Sequence, residues 1–189
     1  MKLIGLAGRA RSGKDTVGEY LKLNYNFHTY ALASPLKKAC KEMFGLTESQ
    51  QQDNLKEEVI PEWGLSPRQM YQTLGTEGGR ELFGQDIWIK RARVELKNYC
   101  DWIDELPSVQ FHSQEPRMVV TDIRFNNEAD WIRSEGGVIW HVNRLNENES
   151  VHDHISENGI TSLPEDKIIY NNSSLDELYK NVESKLKCL

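Results

Sequence analysis

Short apolar runs alternate with amphipathic stretches along most of this 189-residue chain. Residues 2–7 form an apolar run of strand type, and residues 14–23 follow with apolar side chains at helical spacing. Apolar runs return at residues 118–121 and 138–142, with a helical stretch at 126–135 between them. Strands that alternate with helices in this way predict an α/β fold with a mostly parallel sheet, covered by helices on both faces.

Two more apolar runs and a terminal helix complete the pattern. Residues 27–33 and 167–170 are of strand type, so we predict five strands in the sheet. Ser174 begins the last helix with a capping sequence, and the apolar stripe of that helix ends at Leu186.

The chain between residues 34 and 116 is predicted to be mainly helical. Ser66 begins a helix with a capping box and has Pro67 at the first helical position. We expect this helix to break near Gly75 or at Gly78-Gly79. Residues 88–103 repeat the helical period, whereas the polar run from residue 145 to residue 166 could be a loop, a lid or a solvated connection.

The link between the first strand and the first helix has the sequence of a phosphate loop. Residues 8–16 read G-R-A-R-S-G-K-D-T, in which Gly8 and Gly13 let the backbone turn with positive φ and aim N–H groups inward. The positive end of the helix dipole and the Lys14 ammonium would then face the β- and γ-phosphates. Because the loop follows a strand and precedes a helix, we predict that the chain binds a nucleotide.

The magnesium ligand of this loop is not decided by the sequence. Asp15 stands where a phosphate loop usually has Ser or Thr, and a hydroxyl follows one residue later at Thr16. Either the Asp15 carboxylate holds Mg²⁺, directly or through water, or the phosphates and solvent hold the ion.

Three charged residues are predicted to lie near the loop, because ligands in parallel sheets bind at the carboxyl ends of the strands. Asp122 and Arg124 end one strand, and Arg144 follows the next. Asp122 suits a magnesium-water ligand or a partner of the attacking phosphate oxygen, with a helix cap as the alternative. Arg124 and Arg144 suit bidentate contacts to phosphate, with surface salt bridges as the alternative.

Composition narrows the class of protein. A length of 189 residues with 38% hydrophobic content allows one sizeable core, and a net charge of −6 argues against a surface that coats nucleic acid. The three cysteines have no metal-ligand spacing and predict reduced thiols in a cytoplasmic protein. The sequence has neither a leader pattern nor an 18-residue apolar span, so we expect no membrane partner.

Seven sequence pieces occur in one order along the chain. They are R-S-G-K-D-T at 11–16, S-P-L-K at 34–37, P-R-x-x-x-Q-x-L-G-T at 67–76, D-I-R-x-x-x-E at 122–128, H-V-x-R at 141–144, H-I-S-E at 154–157 and N-N-S-S-L-D-E-L at 171–178. With these pieces the chain resembles the bacteriophage deoxynucleoside monophosphate kinases from end to end. The G-K-D-T form of the loop resembles that family's own form.

The resemblance implies one P-loop NTPase domain of three layers, with a sheet core at about residues 1–33, 117–144 and 167–189. It also implies a helical substrate-binding insertion at about 34–116 and a lid at about 145–166. ATP and Mg²⁺ are the implied cofactors, and a deoxynucleoside monophosphate is the implied substrate. The sequence does not decide whether the protein forms a homodimer.

The resemblance also assigns roles to residues. The implied catalytic residues are Lys14, Asp122, Arg124 and Arg144, and Asp15 and Thr16 are the implied metal ligands. The nucleotide-binding residues are Gly8, Arg11, Ser12, Gly13, Lys14, Asp15, Thr16, Asn171 and Ser174, the last two from a loop that resembles the one around the donor adenine. The acceptor-binding residues are Arg11, Lys37, Arg68, Gln72, Thr76, Trp88, Asp122, Arg124, Glu128 and Glu157.

Some alternatives stay open. Trp88 could form a wall for the base or fill a core, and Arg80 could contact substrate or lie on the surface. The predicted reaction transfers the γ-phosphoryl group of ATP to the monophosphate. The alternatives are a kinase of another small phosphorylated metabolite, such as dephospho-coenzyme A or phosphomevalonate, and a non-catalytic nucleotide switch.

Overall fold

The computed structural model describes residues 1–52, 55–106, 115–144 and 159–189 of the chain. Within these ranges, five parallel strands form one sheet in the order β2-β3-β1-β4-β5. The predicted α/β fold with a parallel five-stranded sheet is therefore confirmed. The strands are β1 (Lys2–Ala7), β2 (His28–Tyr30), β3 (Arg117–Ile123), β4 (Val138–Asn143) and β5 (Lys167–Tyr170).

Two α-helices begin at serine caps that the sequence supplies, Ser66 and Ser174. The predicted capping box is present, because Ser66 Oγ accepts the Gln69 N–H at 3.3 Å and Gln69 Oε1 accepts the Ser66 N–H at 2.8 Å. A short 3₁₀ helix covers Ser49–Gln51, and a π-helix covers Thr73–Glu81. The α-helices are α1 (Lys14–Tyr25), α2 (Ser34–Phe44), α3 (Pro67–Gln72), α4 (Ile87–Asp104), α5 (Asn126–Ser134) and α6 (Leu175–Leu186).

Helices cover both faces of the sheet, as two neighbouring residues of β1 show. A Cβ on Gly5 would lie 3.3 Å from Cγ1 of Ile132 in α5, whereas Leu6 Cδ1 lies 3.9 Å from the place of a Cβ on Gly18 in α1. Since successive strand residues point to opposite faces, α5 and α1 lie on opposite sides of the sheet. The buried core on the α1 side also contains α6, and its members are Ile4, Leu6, Val17, Leu21, Phe27, Val119, Trp140, Val142, Ile169, Leu178 and Val182.

The described residues form two compact units. The sheet unit comprises Met1–Ala31 and Arg93–Leu189, and the helical unit comprises Leu32–Ala92. Helix α4 contributes residues to both units. Within the described ranges, no helix is both long enough and apolar enough to cross a bilayer.

The helical unit has a small core of its own, made of Leu36, Cys40, Leu46 and Met70. Burial raises the pKa of the Cys40 thiol to about 11, so this cysteine is a packing residue rather than a nucleophile. All three cysteines of the chain are free thiols, as the sequence predicts.

The prediction that the helix breaks near Gly75 or at Gly78-Gly79 is wrong, because the chain continues through these glycines as the π-helix Thr73–Glu81. Its glycines permit close packing instead of breaking the helix. A Cβ on Gly75 would lie 2.8 Å from Leu36 Cδ2, and one on Gly79 would lie 2.6 Å from Trp88 Cζ2. Tertiary packing here outweighs the low helix propensity of glycine.

Candidate active site

The loop between β1 and α1 has the backbone of a phosphate cradle. Gly8, Arg11 and Gly13 all have positive φ, of 145°, 61° and 105°. A Cβ on Gly8 would lie 2.4 Å from the Val142 carbonyl oxygen, so only glycine fits there. The loop leads directly into α1, whose first N–H groups lack partners within the helix and are therefore available to an anion.

The Lys14 ammonium lies against this loop. Its Nζ donates to the carbonyl oxygens of Gly8 at 2.8 Å and Arg9 at 2.6 Å. Both acceptors are neutral backbone groups, so a phosphate oxygen would be a stronger partner for the same ammonium.

A cleft of about 330 Å³ opens over the loop. It brings together, from three places in the chain, seven of the residues that the sequence assigns to nucleotide binding or catalysis. Ser173 also lines it and belongs to the loop from Asn171 to Ser174, which the resemblance places around the donor adenine. Leu175 lines it too, and sequence reasoning gave it no role, although its position shortly after the carboxyl end of β5 could have indicated one. The predicted members are Arg11, Gly13, Lys14, Asp15, Thr16, Arg144 and Asn171.

Three predicted nucleotide-binding residues do not line this cleft. Gly8 packs against Val142, and Ser12 is only 3% exposed. The Ser12 hydroxyl has no hydrogen-bond partner within the part of the chain that the structure describes. Ser174 caps α6, since its Oγ accepts the Glu177 N–H at 3.3 Å. Direct contacts from these three side chains to a nucleotide stay predictions.

A second turn lies at the same edge of the sheet. Parallel pairing places Ala7 of β1 beside Ile123 of β3, so Asp122 is within the last residues of the strand next to the loop. Asp122 is half-buried near the end of β3, and the exposed Arg124 begins the turn between β3 and α5. Both side chains therefore lie at the strand ends where the sequence places them, although neither lines the cleft over the loop.

The Glu128 side chain holds the backbone of that turn. Glu128 is 2% exposed, and its Oε2 accepts the N–H of Arg124 at 2.8 Å and the N–H of Phe125 at 3.1 Å. A carboxylate on two backbone donors at the start of a helix also meets the positive end of the helix dipole. The predicted contact between Glu128 and the acceptor stays a prediction, while the hydrogen bonds assign it a structural role in this turn.

The strand that leads to Arg144 is fixed by a buried carboxylate. Asp166 has a side chain only 1% exposed, and it accepts from Arg133 Nη2 at 2.7 Å, from His141 Nε2 at 3.0 Å and from the Leu163 N–H at 2.9 Å. Burial by itself raises the pKa of Asp166, but these hydrogen bonds together outweigh it and lower the pKa. Asp166 is therefore an ionised anchor between α5 and β4.

The helical unit carries five of the ten predicted acceptor-binding residues. The Arg68 guanidinium, 18% exposed, donates from Nη1 to Glu57 Oε1 at 3.0 Å. Lys37 is exposed on α2, while Gln72 and Thr76 are half-buried at the end of α3 and in the π-helix. Glu157 and residues 145–158 of the predicted lid lie outside the described residues.

The structure bears on the roles of Trp88 and Arg80, which the sequence left open. Trp88 packs against the core of the helical unit, and its Nε1 donates to the Gly75 carbonyl at 2.9 Å. These contacts agree with the core interpretation, and a contact with the base stays a prediction. Arg80 is buried, at 4% exposed, with Nη1 donating to the Gln85 carbonyl at 2.7 Å, so it is not a surface arginine.

Comparison with known proteins decides the family. The family described as deoxynucleotide monophosphate kinase matches residues 2–61 and 47–182 of the chain. The chain belongs to this family. Among its relatives, a protein of Acanthamoeba polyphaga mimivirus named "Putative deoxynucleotide monophosphate kinase" is 32% identical over 188 residues, which cover 97% of this chain and 95% of that protein.

More distant members of the deoxynucleotide monophosphate kinase family match over their whole length. The deoxynucleotide monophosphate kinase of Enterobacteria phage T4 is 27% identical and is covered completely, as is this chain. Among solved structures, TT1252 from Thermus thermophilus has a TM-score of 0.50 at 16% identity, covering 99% of this chain and 97% of that one. This likeness concerns the fold alone.

Residues 1–52, 55–106, 115–144 and 159–189 contain no group of three or more His, Cys, Asp or Glu that could hold a metal ion. Asp15 and Thr16, the metal ligands that the resemblance implies, line the cleft, and their binding of Mg²⁺ stays a prediction. They offer a carboxylate and a hydroxyl oxygen, which are the donor types that Mg²⁺ prefers.

Proposed function

We propose that the protein transfers the γ-phosphoryl group of ATP to a deoxynucleoside 5′-monophosphate and releases ADP and the diphosphate. One observation carries the proposal: a glycine-rich loop at the start of α1 and the Lys14 and Arg144 side chains share one cleft, in a chain of the deoxynucleotide monophosphate kinase family.

The loop and α1 supply donors for the phosphates of ATP. The N–H groups at the start of α1 would donate to phosphate oxygens, and the helix dipole favours the negative charge. Lys14 Nζ, which donates to Gly8 and Arg9 in this structure, would exchange these carbonyls for phosphate oxygens.

The reaction requires charge compensation rather than a covalent intermediate on the protein. An oxygen of the acceptor phosphate attacks the γ-phosphorus, a new P–O bond forms, and the bond to the ADP oxygen breaks with its electron pair leaving on ADP. Both partners are anions, so their repulsion must be reduced by cationic side chains. Lys14 and Arg144 would act from the side of the loop, and Arg124 from the neighbouring turn.

Mg²⁺ would be bound beside Lys14. Asp15 and Thr16 can supply two oxygen ligands, and the remaining ligands would come from phosphate and water. When bound, the ion neutralises phosphate charge and orients the phosphates. Asp122 is the third oxygen donor that we assign to this side, either through a water molecule or as a partner of the attacking oxygen.

The acceptor monophosphate is assigned to the helical unit. Arg68 and Lys37 would hold its phosphate, and Gln72, Thr76 and Trp88 would contact its sugar or base. The ion pair with Glu57 holds the Arg68 guanidinium in place before substrate arrives, which reduces the entropy lost on binding.

The test is an ADP-release assay with ATP and Mg²⁺ against each of the four common deoxynucleoside monophosphates. The corresponding ribonucleotides and dephospho-coenzyme A serve as control acceptors. We expect ADP release to depend on the acceptor and to be fastest with at least one deoxynucleotide.

Two outcomes would contradict the proposal. Slow ADP release that no acceptor accelerates would favour a nucleotide switch. Faster release with dephospho-coenzyme A than with any deoxynucleotide would favour a kinase of another phosphorylated metabolite. Identification of the diphosphate by mass spectrometry separates transfer from simple ATP hydrolysis.

A further inference from the structure

Asn171 contacts the phosphate loop through its side chain. The residue follows β5, and its backbone N–H donates to the Asn143 carbonyl at 2.8 Å, which continues the pairing of β5 with β4. Its side-chain Nδ2 donates to the Ser12 carbonyl oxygen at 2.9 Å. The last strand of the sheet is therefore connected to the loop that follows the central strand.

This hydrogen bond fixes the orientation of one peptide group. The peptide between Ser12 and Gly13 is planar and trans, so its C=O and N–H point in opposite directions. Holding the Ser12 carbonyl toward Asn171 directs the Gly13 N–H away from Asn171. Gly13 is the N-cap residue of α1, and its N–H belongs to the set of donors that a helix start offers to an anion.

The loop is shaped to admit the amide. A Cβ on Gly13 would lie 2.4 Å from Asn171 Nδ2, and the Gly13 φ of 105° is rarely adopted by other residues. The glycine at position 13 thus serves two purposes, the turn of the loop and the close approach of Asn171. Asn171 cannot make this contact with any larger residue at position 13.

We propose that Asn171 is a positioning residue of the phosphate loop: its amide holds the Ser12–Gly13 peptide so that the donors at the start of α1 face the phosphate chain. The proposal rests on the proposed ATP binding and differs from the adenine contact that the sequence resemblance implies for the same residue. A residue that acts through the loop affects phosphate binding whether or not a base is present.

The experiment measures binding of ATP and of inorganic tripolyphosphate to the full chain by titration calorimetry. The variants are Asn171→Ala and the isosteric Asn171→Asp, which keeps the shape but cannot donate. Asn181→Ala is the matched control, because Asn181 Nδ2 also donates to a backbone carbonyl, that of Tyr170, at 3.1 Å, and it does not line the cleft. We expect each Asn171 variant to weaken the binding of ATP and of tripolyphosphate by the same factor, which is about tenfold for alanine. Asn181→Ala should weaken the binding of neither ligand.

Two results would overturn the positioning role. A loss confined to ATP would mean that Asn171 contacts the base or sugar. Unchanged binding of both ligands by folded Asn171→Asp would mean that the hydrogen bond has no effect on the loop. Failure of the proposed function is distinguishable, since a wild-type protein that binds tripolyphosphate but transfers no phosphoryl group would still test Asn171.

Discussion

Two turns lie side by side at the same edge of the sheet, and they are built in opposite ways. The turn after β1 presents backbone groups, its φ is positive at Gly8, Arg11 and Gly13, and a Cβ at Gly8 or Gly13 would meet neighbouring atoms at 2.4 Å. The end of β3 and the turn after it carry the side chains of Asp122 and Arg124, and Glu128 accepts from the backbone N–H groups of this turn.

The difference follows from what each turn is proposed to bind. A chain of phosphates needs several donors that converge from fixed directions, and successive backbone N–H groups provide them without side-chain entropy. Charge that develops at one place is better met by a planar guanidinium or a carboxylate. In both turns one polar side chain from outside, Asn171 or Glu128, holds the backbone in place.

The largest expected effect comes from the lysine of the first turn. Lys14→Ala should lower kcat by about a hundredfold or more, because the ammonium is proposed to compensate charge in the transition state. The fold should survive, since Lys14 is not part of the core. Steady-state ADP release and thermal unfolding measure the two effects.

Lys22 in the same helix is the control for Lys14. It is exposed and its Nζ lies 3.3 Å from Glu19 Oε2. Lys22→Ala should leave kcat within about twofold, because an exposed ion pair contributes little. A folded Lys14→Ala variant that is as active as Lys22→Ala would contradict the proposed role of the phosphate loop in catalysis.

The arginines should separate into two kinetic classes. Arg124→Met and Arg144→Met should lower kcat by about a hundredfold with smaller changes in KM, because their charge is proposed to act mainly in the transition state. Arg68→Met should mainly raise the acceptor KM. Lysine at positions 124 and 144 should restore little, because a point charge lacks the bidentate geometry.

Measurement of both kinetic constants for the three variants tests this division. If all three change only the acceptor KM, Arg124 and Arg144 are binding residues, and the contrast between the turns loses its catalytic meaning.

A smaller effect is expected from the carboxylate under the second turn. Glu128→Gln keeps one acceptor oxygen but loses the charge, so kcat should fall by about tenfold, as expected for about 1.4 kcal/mol. The acceptor KM should change by less than about twofold, because the side chain is proposed to act through the position of Arg124. A large rise in the acceptor KM with unchanged kcat would instead indicate direct contact with substrate.

The buried ion pair between Asp166 and Arg133 is tested through protein stability rather than activity. Asp166→Asn should lower the free energy of unfolding by about 3 kcal/mol at pH 7, because it leaves the Arg133 charge without its buried partner. The pKa of Asp166 is lowered in the folded state, so its stabilisation is present above the ordinary aspartate value of about 4 and is lost as the pH falls below it.

Urea unfolding of both proteins at pH 7 and pH 3 measures this effect. The difference between wild type and Asp166→Asn should shrink at the lower pH. A difference that is equal at both pH values would show that the ionised form of Asp166 is not the stabilising one.

Periodicity and caps predicted the strands and most helix starts, since these depend on local residues. The phosphate loop was predictable for the same reason, because a short run from Gly8 to Thr16 carries its chemistry. The contact between Asn171 and Ser12 was not, because it joins residues 159 positions apart. The π-helix was missed because Gly75 and Gly79 are used for packing against Leu36 and Trp88, which no local pattern shows.

The pairing of the central strand has a consequence for synthesis of the chain. Leu3 of β1 pairs with Met118 of β3, and Ile4 pairs with Val138 of β4, so β1 has no neighbour until more than a hundred further residues have been made. The helical unit, in contrast, is one continuous segment, Leu32–Ala92, with its own core. On the ribosome this segment is completed first. The sheet that carries the phosphate loop can form only afterwards, because β3 and β4 are synthesised later than the helical unit.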